Sequence, residues 1–382
     1  MSDRKHWDAE VAIIGAGPAG TAAAAHLRQL GVKDVVLVDR ADFPRDKTCG
    51  SGVSPGDRVL KRLGVWDEVA AASYFIKGIR IVTPGGRESW QSAGDLAQAV
   101  VCNRRVLDNL LLERAKSFRV TFVPHFTASE VLMDGDRTAG FADRKGRTVR
   151  ARYTLVAGGS HCRVGVDPAR PRRVIQAIMG WWDNVPFRPH HVEMIFDKAI
   201  APYYGWLFPE SETRVNIGIT YEDPVDAGQV RTSADKRNAR ALFASFLDKY
   251  YARRLENAQQ LGPLKGHPVV YSYELANLVS PGRVVIGEAG LMTHPATAEG
   301  IYQGMHSGML GAEAVADILG GREDESTALM RFEQRCRRAF QISFWGGAAF
   351  RVAAKTPALD WLVKLGEQPL VGFASAKLMA HM

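Results

Sequence analysis

The 382-residue sequence lacks the features that mark membrane-spanning and secreted proteins. It contains no uninterrupted apolar run of roughly 18 residues, the length that a membrane-spanning helix requires. Its first ten residues, MSDRKHWDAE, are too polar for the apolar core of a secretion signal. The cysteines are widely spaced and form neither a metal-binding pattern nor a disulfide framework: they are Cys49, Cys102, Cys162 and Cys336. We therefore expect a cytoplasmic protein without a metal site.

Nucleic-acid-binding motifs are lacking as well. The chain has no helix-turn-helix, zinc-finger or aromatic-rich RNA-binding pattern, so we expect no nucleic-acid partner. Its formal net charge is nevertheless +8. A positive charge suits an anionic cofactor, an anionic substrate or an acidic membrane surface, and the charge alone does not choose among them.

A dinucleotide-binding pattern occupies the start of the chain. The apolar run AEVAIIGAGPAG ends in three glycines, and an alanine-rich helical segment follows it. The first glycine allows a tight turn, the second allows a pyrophosphate to approach the backbone, and the third allows the helix to pack closely on the strand. The unpaired N–H groups at the start of such a helix bind phosphate. The residues predicted to form this site are Gly15, Gly17, Pro18, Ala19 and Gly20.

The second strand, DVVLVDR, supplies the acid that completes the pattern. Asp39 follows Gly20 by nineteen residues, the position from which a carboxylate binds ribose hydroxyls, and Arg40 comes next. A simple NAD-binding domain would continue as strand, helix and strand. Here the long loop RADFPRDKTCGSGVSPG leads instead into a basic helix, which favours FAD.

Residues 103–115, NRRVLDNLLLERA, predict a helix. Its expected apolar face is formed by Val106, Leu107, Leu110 and Leu111. Arg104 and Asp108 are four residues apart and therefore share one face. At this point the chain resembles the FAD-dependent family that includes aromatic hydroxylases, flavin halogenases and geranylgeranyl reductases. That family has an arginine at the position of Arg104, near the flavin or its phosphates; the alternative is a surface salt bridge with Asp108.

Residues 153–167, YTLVAGGSHCRVGVD, resemble the ADG-x-x-S-x-V-R segment of the same family. Gly158 stands where the family has aspartate, and Cys162 stands where it has serine. The resemblance implies that Gly158 lies close to the FAD pyrophosphate and to a docking nicotinamide.

Residues 282–308, GRVVIGEAGLMTHPATAEGIYQGMHSG, predict a buried strand, a loop and a helix beginning near residues 299–300. The segment resembles the family's GD-A-A-G/H-x-x-x-P-x-x-G-E-G motif, which holds the ribityl chain and points a helix amino terminus at the isoalloxazine. Such a helix end stabilises the anionic reduced flavin. Glu288 replaces the family aspartate, and Ala298 stands where glycine is usual. The resemblance implies cofactor contacts from Gly287, Glu288, Ala298, Gly300 and Ile301, and substrate contacts from His294 and Pro295.

Two short motifs favour the reductase branch of this family. KTCGSG, residues 47–52, resembles the K-x-x-C-G-x-G loop that geranylgeranyl reductases place over the flavin, with the lysine one residue closer to the cysteine. The resemblance implies that Lys47, Cys49 and Gly50 lie against the cofactor. It makes Cys49 the candidate catalytic residue, either as a proton donor or as a group that shapes the pocket.

The second motif, YGWLFP at residues 204–209, matches the Y-x-W-x-F-P pattern of the reductases' substrate domain. Tyr204, Trp206 and Phe208 would form an aromatic wall along an apolar substrate tunnel. The alternative is an ordinary aromatic-rich strand in a sheet core. The halogenase branch fits less well, because its Trp-x-Trp-x-Ile-Pro motif is absent, and aromatic hydroxylases remain open.

The predicted fold class is α/β: a Rossmann-like FAD-binding domain, an inserted antiparallel β-sheet substrate domain and C-terminal helices, the p-hydroxybenzoate hydroxylase-like architecture. A hairpin in residues 76–91 and strand-like runs in residues 170–275, with one helix near 233–255, predict the inserted sheet. The predicted FAD-binding domain comprises residues 1–75, 101–168 and 276–330. The substrate domain comprises 76–100 and 169–275, and the C-terminal helical segment comprises 331–382.

Residues 331–355, RFEQRCRRAFQISFWGGAAFRVAAK, mix basic with aromatic and aliphatic positions. A helix packed on the body with a solvated basic face is the favoured interpretation. The alternative is a helix at a membrane surface, which would make the protein peripheral to the membrane.

These motifs predict an FAD-dependent oxidoreductase that reduces C=C bonds of an isoprenoid or another hydrophobic substrate. NADPH or NADH, or an electron-donor protein, would reduce the flavin. The alternative enzyme is an NAD(P)H-dependent flavin monooxygenase acting on an aromatic or polycyclic small molecule. A third alternative is an electron carrier that passes electrons to quinone.

Overall fold

The computed structural model describes residues 5–55, 57–92, 99–222 and 238–366. Parts of the predicted domains lie outside the described residues, among them residues 367–382 of the C-terminal segment and the beginning of the helix expected near 233–255. The strands, in chain order, are β1 (His6–Ile14), β2 (Val35–Val38), β3 (Gly52–Val53), β4 (Tyr74–Ile76), β5 (Gly78–Val82), β6 (Glu88–Ser92), β7 (Ala99–Val101), β8 (Thr121–Val123), β9 (Ala128–Asp134), β10 (Arg137–Asp143), β11 (Thr148–Val156), β12 (Arg173–Asp183), β13 (His191–Ile195), β14 (Gly205–Pro209), β15 (Arg214–Tyr221), β16 (Gln259–Gln260), β17 (Lys265–Tyr271), β18 (Val279–Ser280) and β19 (Arg283–Val285).

The helices follow the same chain order. They are α1 (Pro18–Gln29), α2 (Asp57–Leu63), α3 (Trp66–Ala71), α4 (Arg104–Ser117), α5 (Ala239–Leu255), α6 (Ile301–Leu319), α7 (Glu325–Cys336), α8 (Ile342–Ala353) and α9 (Ala358–Gly366). A 3-10 turn spans Gly287–Gly290, and the π-helical turn Arg337–Gln341 joins α7 to α8.

The first sheet has the order β18-β19-β11-β1-β2-β8. The strands from β19 to β8 are parallel, while β9 and β10 extend the sheet from β11 as an antiparallel pair. Because the central strands are covered on both faces, they are apolar and β-branched rather than alternating. Helices α1, α4 and α6 pack together with one face of this sheet around one apolar core. The first strand, α1 and β2 form the predicted dinucleotide-binding unit.

The second sheet has the order β16-β12-β15-β14-β13-β5-β6, with β17 also pairing with β12. The hairpin predicted in residues 76–91 is confirmed as β5 and β6. The sheet was expected to be antiparallel, and one pair departs from that expectation, because β13 runs parallel to β5. The two strands are far apart in the sequence, so no short turn forces them to run antiparallel.

Two layers cover the second sheet. Helix α5 packs on one face, burying Phe243 and Phe246 against the strands. The opposite face contributes Met179, Trp206 and other apolar side chains to a cluster that includes Leu359 and Val363 of α9. The strands of a small third sheet, in the order β3-β7-β4, precede and follow the β5–β6 hairpin in the chain. The division into domains at the residues given above remains a prediction.

The helices after residue 325 both pack on the body and expose apolar side chains. Phe332, Phe340 and Phe344 are buried, as the favoured interpretation of residues 331–355 requires. The outer face of α8 is not basic throughout, however: Ile342, Trp345 and Val352 are exposed there. In the described part of the chain we find no helix that is both long enough and apolar enough to span a bilayer.

Candidate functional site

One continuous cavity of about 850 Å³ extends from the carboxyl end of the first sheet to the inner face of the second. This cavity is lined by most of the site residues predicted from the sequence. They are Gly15, Gly17, Pro18, Ala19, Asp39, Arg40, Lys47, Cys49, Gly50, Arg104, Gly158, Tyr204, Trp206, Phe208, Glu288, Ala298, Gly300 and Ile301. Four nominated residues are not part of this lining: Gly20, Gly287, His294 and Pro295.

The glycine-rich turn forms one end of the cavity. Gly15 has φ +99°, and a Cβ at this position would lie 2.5 Å from the carbonyl oxygen of Ala157. A Cβ on Gly20 would lie 1.8 Å from the carbonyl oxygen of Gly15, so this glycine serves packing, as predicted. Gly17 is the N-cap of α1 and has no side chain to cap the helix. The first N–H groups of α1 are therefore free to bind an anion.

Asp39 is positioned by two backbone N–H groups. Its Oδ2 accepts from Ala16 N at 2.8 Å, and its Oδ1 accepts from Ala41 N at 2.9 Å. The carboxylate is thereby fixed beside the glycine turn at the cavity wall. This arrangement suits a carboxylate that binds ribose hydroxyls.

The two departures from the family pattern at residues 158 and 162 are in contact. A Cβ on Gly158 would lie 2.7 Å from Cys162 Sγ. Burial raises the pKa of Cys162, which keeps this thiol neutral. A side chain at residue 158 therefore requires a change at residue 162.

A polar cluster follows along the cavity. Lys47 Nζ donates to His267 Nε2 at 2.6 Å, and the Ser160 hydroxyl lies 3.0 Å from the same nitrogen. Burial, partly offset by Glu288, lowers the pKa of Lys47 to about 8; burial and then Lys47 lower the pKa of His267 to about 3. Glu288 Oε1 accepts from Val270 N at 3.1 Å, and burial raises the pKa of this carboxyl. Sequence reasoning missed His267, which β17 brings to the site from the other sheet.

Arg104 belongs to a buried ion-pair cluster rather than a surface pair. Its Nε and Nη2 donate to the two oxygens of Asp108 at 2.7 and 2.8 Å, and Arg45 Nη2 lies 2.9 Å from Asp108 Oδ2. Asp108 is 0% exposed. The apolar face predicted for α4 is confirmed at Leu107 and Leu111, which are buried, and wrong at Val106, which is exposed. Asp108 also lies on the buried face, where Arg45 from a distant loop completes its charge pairing.

The cysteine loop and the aromatic wall touch each other. A Cβ on Gly50 would lie 3.2 Å from Trp206 Nε1 and 3.3 Å from Phe208 Cδ2. Cys49 is half-buried; its Sγ accepts from Ser51 N at 3.3 Å and contacts the Arg104 guanidinium. Cys49 thus lies where the charged half of the cavity meets the aromatic half.

The aromatic half is an ordered row of rings. Tyr204 and Trp206 have centroids 6.2 Å apart, and Trp206 and Phe208 6.1 Å apart; Phe196 extends the row at 5.8 Å from Tyr204. Trp206 Nε1 donates to the buried Asn216 at 2.6 Å, which satisfies its polar atom and fixes its ring. These rings line the cavity, so the motif is more than a core strand.

In the loop before α6, Ala298 lines the cavity, whereas His294 and Pro295 are buried in the fold. Ala298 has φ +56°, a left-handed conformation that favours glycine and strains alanine. His294 was expected to contact substrate, yet it is 0% exposed: its Nε2 donates to the Ser343 carbonyl at 3.2 Å and its Nδ1 accepts from Thr297 N at 3.1 Å. Its role is to tie this loop to α8, and burial lowers its pKa to about 4. Pro295 is buried beside it, outside the cavity wall.

Glu299 lies between Ala298 and Gly300 and lines the cavity. Its Oε2 is buried and has no hydrogen-bond partner among the described residues. The residue stands inside the G-E-G part of the motif that predicted this segment, but sequence reasoning gave it no role.

The C-terminal helices close the apolar end of the cavity. Phe350 of α8 and Leu359, Leu362 and Val363 of α9 line it. The 359, 362, 363 spacing is that of one helix face, a signal that could have identified α9 as part of the site. Thr83 donates to Asp360, which fixes α9 to the β5–β6 hairpin.

The described residues fit FAD. The cradle at Gly15 and Gly17 is one that a Cβ would fill or narrow, and uncapped helix N–H groups face it. Asp39 stands beside it for a ribose, and Arg40 and Lys47 supply positive charge for phosphates.

Comparison with known proteins decides the family. The model of the FAD binding domain family matches residues 8–341. The chain belongs to this family. Menaquinone reductase from Mycolicibacterium smegmatis is 30% identical over 339 residues, covering 84% of this chain and 79% of the relative. Digeranylgeranylglycerophospholipid reductase 1 from Methanothermobacter thermautotrophicus is 27% identical, covering 86% of this chain and 82% of the relative.

A solved structure shares the fold of this FAD-binding-domain protein. A geranylgeranyl bacteriochlorophyll reductase-like protein from Thermoplasma acidophilum superposes with a TM-score of 0.83 at 20% identity, covering 98% of this chain and 96% of that one. The predicted fold class and the predicted relation to geranylgeranyl reductase-like flavoproteins are therefore confirmed. The protein is an FAD-dependent oxidoreductase.

Proposed function

We propose that the protein reduces C=C bonds in the isoprenoid chain of a lipid. The observation that carries this proposal is the continuity of one cavity from the glycine cradle to the aromatic row, with Cys49 and Gly50 at the junction. Reduced FAD bound in the cradle would supply a hydride. An apolar, aromatic space beside it suits a flexible hydrocarbon chain better than a polar metabolite.

The names of the similar proteins support the same substrate class. Menaquinone and digeranylgeranylglycerophospholipid both carry polyprenyl chains, and both relatives are reductases. For this chain we propose a polyprenyl lipid without choosing between quinone and phospholipid headgroups.

The residues proposed to hold FAD fall into groups, each of which binds a different part of the cofactor. We assign the pyrophosphate to the α1 amino terminus and Gly158, the ribose to Asp39 with Arg40 beside it, and the ribityl chain to Glu288; Gly287, which does not line the cavity, is left out of this set. The amino terminus of α6, at Gly300 and Ile301, is assigned to the isoalloxazine, where its free N–H groups stabilise negative charge. Lys47, Arg104 and Ala298 complete this proposed contact set.

A nicotinamide dinucleotide, NADPH or NADH, is the proposed electron donor. Support comes from the cations around His161, which lines the cavity: Arg40, Lys47, Arg163 and Arg172 all act to lower its pKa, after burial as the largest cause. An anionic donor would be attracted to this concentration of positive charge. An electron-donor protein is the alternative, and it would give reduction in reconstituted extract but none with NADPH or NADH alone.

Peripheral membrane contact is proposed through the exposed face of α8 and α9. Trp345 is 58% exposed and Trp361 65% exposed, and Lys355 and Lys364 lie nearby in the chain. Leu362 is both exposed and part of the cavity lining, so the apolar end of the cavity opens at this face. A lipid could therefore enter from an anionic bilayer on which these helices rest.

Sedimentation with anionic vesicles tests the membrane contact. Replacing Trp345 and Trp361 by alanine should release most of the protein from the vesicles, whereas Met133→Ala, which removes an exposed apolar side chain from β9, should leave binding unchanged. Equal binding of both variants would contradict the proposed face.

The reaction is tested by the mass of the product formed without air. Holoprotein, NADPH and a polyprenyl lipid should yield a product heavier by two hydrogens, with the headgroup unchanged. A product that contains an added oxygen atom and forms only in air would establish the hydroxylase alternative. Reduction of the quinone ring with an intact polyprenyl chain would establish the quinone-reducing alternative, which the name of the first relative also fits.

A further inference from the structure

Glu299 lines the cavity with a buried carboxyl oxygen that has no hydrogen-bond partner among the described residues. Glu299 follows Ala298 directly, and its main-chain carbonyl accepts from His294 N at 2.8 Å, which fixes the residue's backbone. The side chain, in contrast to the backbone, is not fixed through Oε2, because this oxygen makes no hydrogen bond within the described ranges. Native proteins rarely leave a buried oxygen unpaired, so such a group calls for a ligand or a reaction that engages it.

The protonation state follows from the surroundings. Burial raises the pKa of Glu299 to about 8. Tyr204, directly before β14, lines the same cavity, and its pKa is raised by burial first and then by the charges of Glu299 and Cys49. Glu299 is therefore mainly a neutral carboxylic acid at neutral pH, and it carries a proton that no described acceptor holds.

Two other side chains that line the cavity, Tyr204 and Cys49, already have hydrogen-bond partners. The Tyr204 hydroxyl already donates to the Thr297 carbonyl. Cys49 Sγ accepts from Ser51 N and contacts the Arg104 guanidinium, so this sulfur has partners, whereas Glu299 Oε2 has none among the described residues. Glu299 directly precedes Gly300, the N-cap of the helix whose amino terminus is assigned to the flavin, and its charge acts on Tyr204, which is assigned to the substrate.

We propose that Glu299 is the proton donor of the reduction. This inference rests on the proposed function. One alkene carbon accepts a hydride from the reduced cofactor, and the other carbon accepts the proton of the Glu299 carboxyl. The π bond breaks, two C–H bonds form, the cofactor is oxidised by two electrons, and a carboxylate remains that takes a new proton from water. Cys49 then shapes the junction of the two halves.

The first test needs no turnover. Infrared spectra of the FAD-loaded protein, recorded against pH, should show the C=O stretch of a protonated carboxyl that disappears as pH rises through about 8. The Glu299→Gln variant should lack this band. Glu130→Gln, at an exposed position on β9, should retain it. Because burial also raises the pKa of Glu288, the band is assigned from the difference between the wild-type and Glu299→Gln spectra, and its absence from that difference would overturn the proposal.

The second test separates this proposal from the proposed function. After photoreduction under nitrogen, wild-type protein should be reoxidised by a polyprenyl lipid, with a rate that declines above pH of about 8. Glu299→Gln should still bind FAD, be photoreduced and react with oxygen, while its reoxidation by lipid falls by about 100-fold or more.

Failure of the wild-type protein to react with lipid would refute the proposed function. Normal lipid reactivity in Glu299→Gln would refute the role of Glu299 alone. Should Glu299→Gln not fold, a wild-type rate that does not change between pH 6 and about 9 would equally overturn it, since a donor with this pKa must titrate in that interval.

Discussion

The two ends of the cavity are lined in different ways. At the flavin end the lining is backbone and charge: a glycine turn, uncapped N–H groups and the Arg45–Asp108–Arg104 cluster. At the other end it is a row of rings on one strand, closed by helices from the end of the chain. A binding site formed by the backbone loses its ligand when an added Cβ occupies it. A surface formed by side chains can rearrange around a substitution and keep part of its affinity. We therefore expect substitutions at the two ends to differ in kind as well as in size.

The largest expected effect is at the glycine turn. Gly15→Ala places a Cβ 2.5 Å from the Ala157 carbonyl in a left-handed conformation, so the turn must shift and the protein should be isolated without FAD. Flavin absorbance per protein chain measures this. Gly346→Ala, in α8 where no atom lies within 4 Å of the new Cβ, is the control and should keep full occupancy. Normal FAD content in Gly15→Ala would remove the basis of the assigned cradle.

The second expected effect concerns the buried ion pairs. Asp108→Asn leaves two guanidinium groups without their shared carboxylate and should lower the free energy of unfolding by about 3–5 kcal/mol. Asp57→Asn removes the carboxylate of an i,i+4 pair with Lys61, whose side chain is 52% exposed, and should cost less than about 1 kcal/mol. Urea unfolding of both variants measures the difference. Equal losses of unfolding free energy in the two variants would show that the ion pairs of Asp108 contribute no more to stability than an exposed pair.

A third, smaller effect is expected at the aromatic end. Phe208→Ala removes a ring that faces Gly50 and should weaken polyprenyl lipid binding about tenfold while FAD content stays at the wild-type value. Phe75→Ala, an exposed aromatic on β4, serves as the matched control. Lipid titration followed by flavin absorbance gives both numbers. Loss of FAD from Phe208→Ala would mean that the two ends are not separable.

The smallest expected effect is the relief of strain at Ala298. Because its φ is +56°, Ala298→Gly should stabilise the protein by up to about 1 kcal/mol. The converse change, Gly86→Ala at φ +84° with open space around it, should destabilise it by a similar amount. Thermal unfolding of the pair measures both signs. A destabilised Ala298→Gly would indicate that the methyl group packs in a way that outweighs the strain.

The same contrast explains how far the sequence could lead. The flavin end is a contiguous pattern with fixed local geometry, so Gly15, Gly17 and Asp39 could be predicted from spacing alone. The burial of Asp108 in α4 could not, because its second partner, Arg45, comes from another loop. The parallel pairing of β13 with β5 likewise depends on where the chain re-enters the second sheet.

At the other end, single residues were harder to assign. His294 has the chemistry of a site residue, but its hydrogen bonds are used within the fold. His267 and the α9 side chains reach the cavity from strands and helices that no local motif connects to it. Glu299 was inside a recognised motif, and only the unpaired oxygen distinguishes it from a structural residue.

The most direct test of the account is the reoxidation of photoreduced holoprotein under nitrogen by a polyprenyl lipid, followed by flavin absorbance. If the two ends form one reaction site, the lipid alone should restore the oxidised flavin spectrum, with one double bond reduced for each flavin. Reoxidation that occurs only after oxygen is admitted would contradict the account.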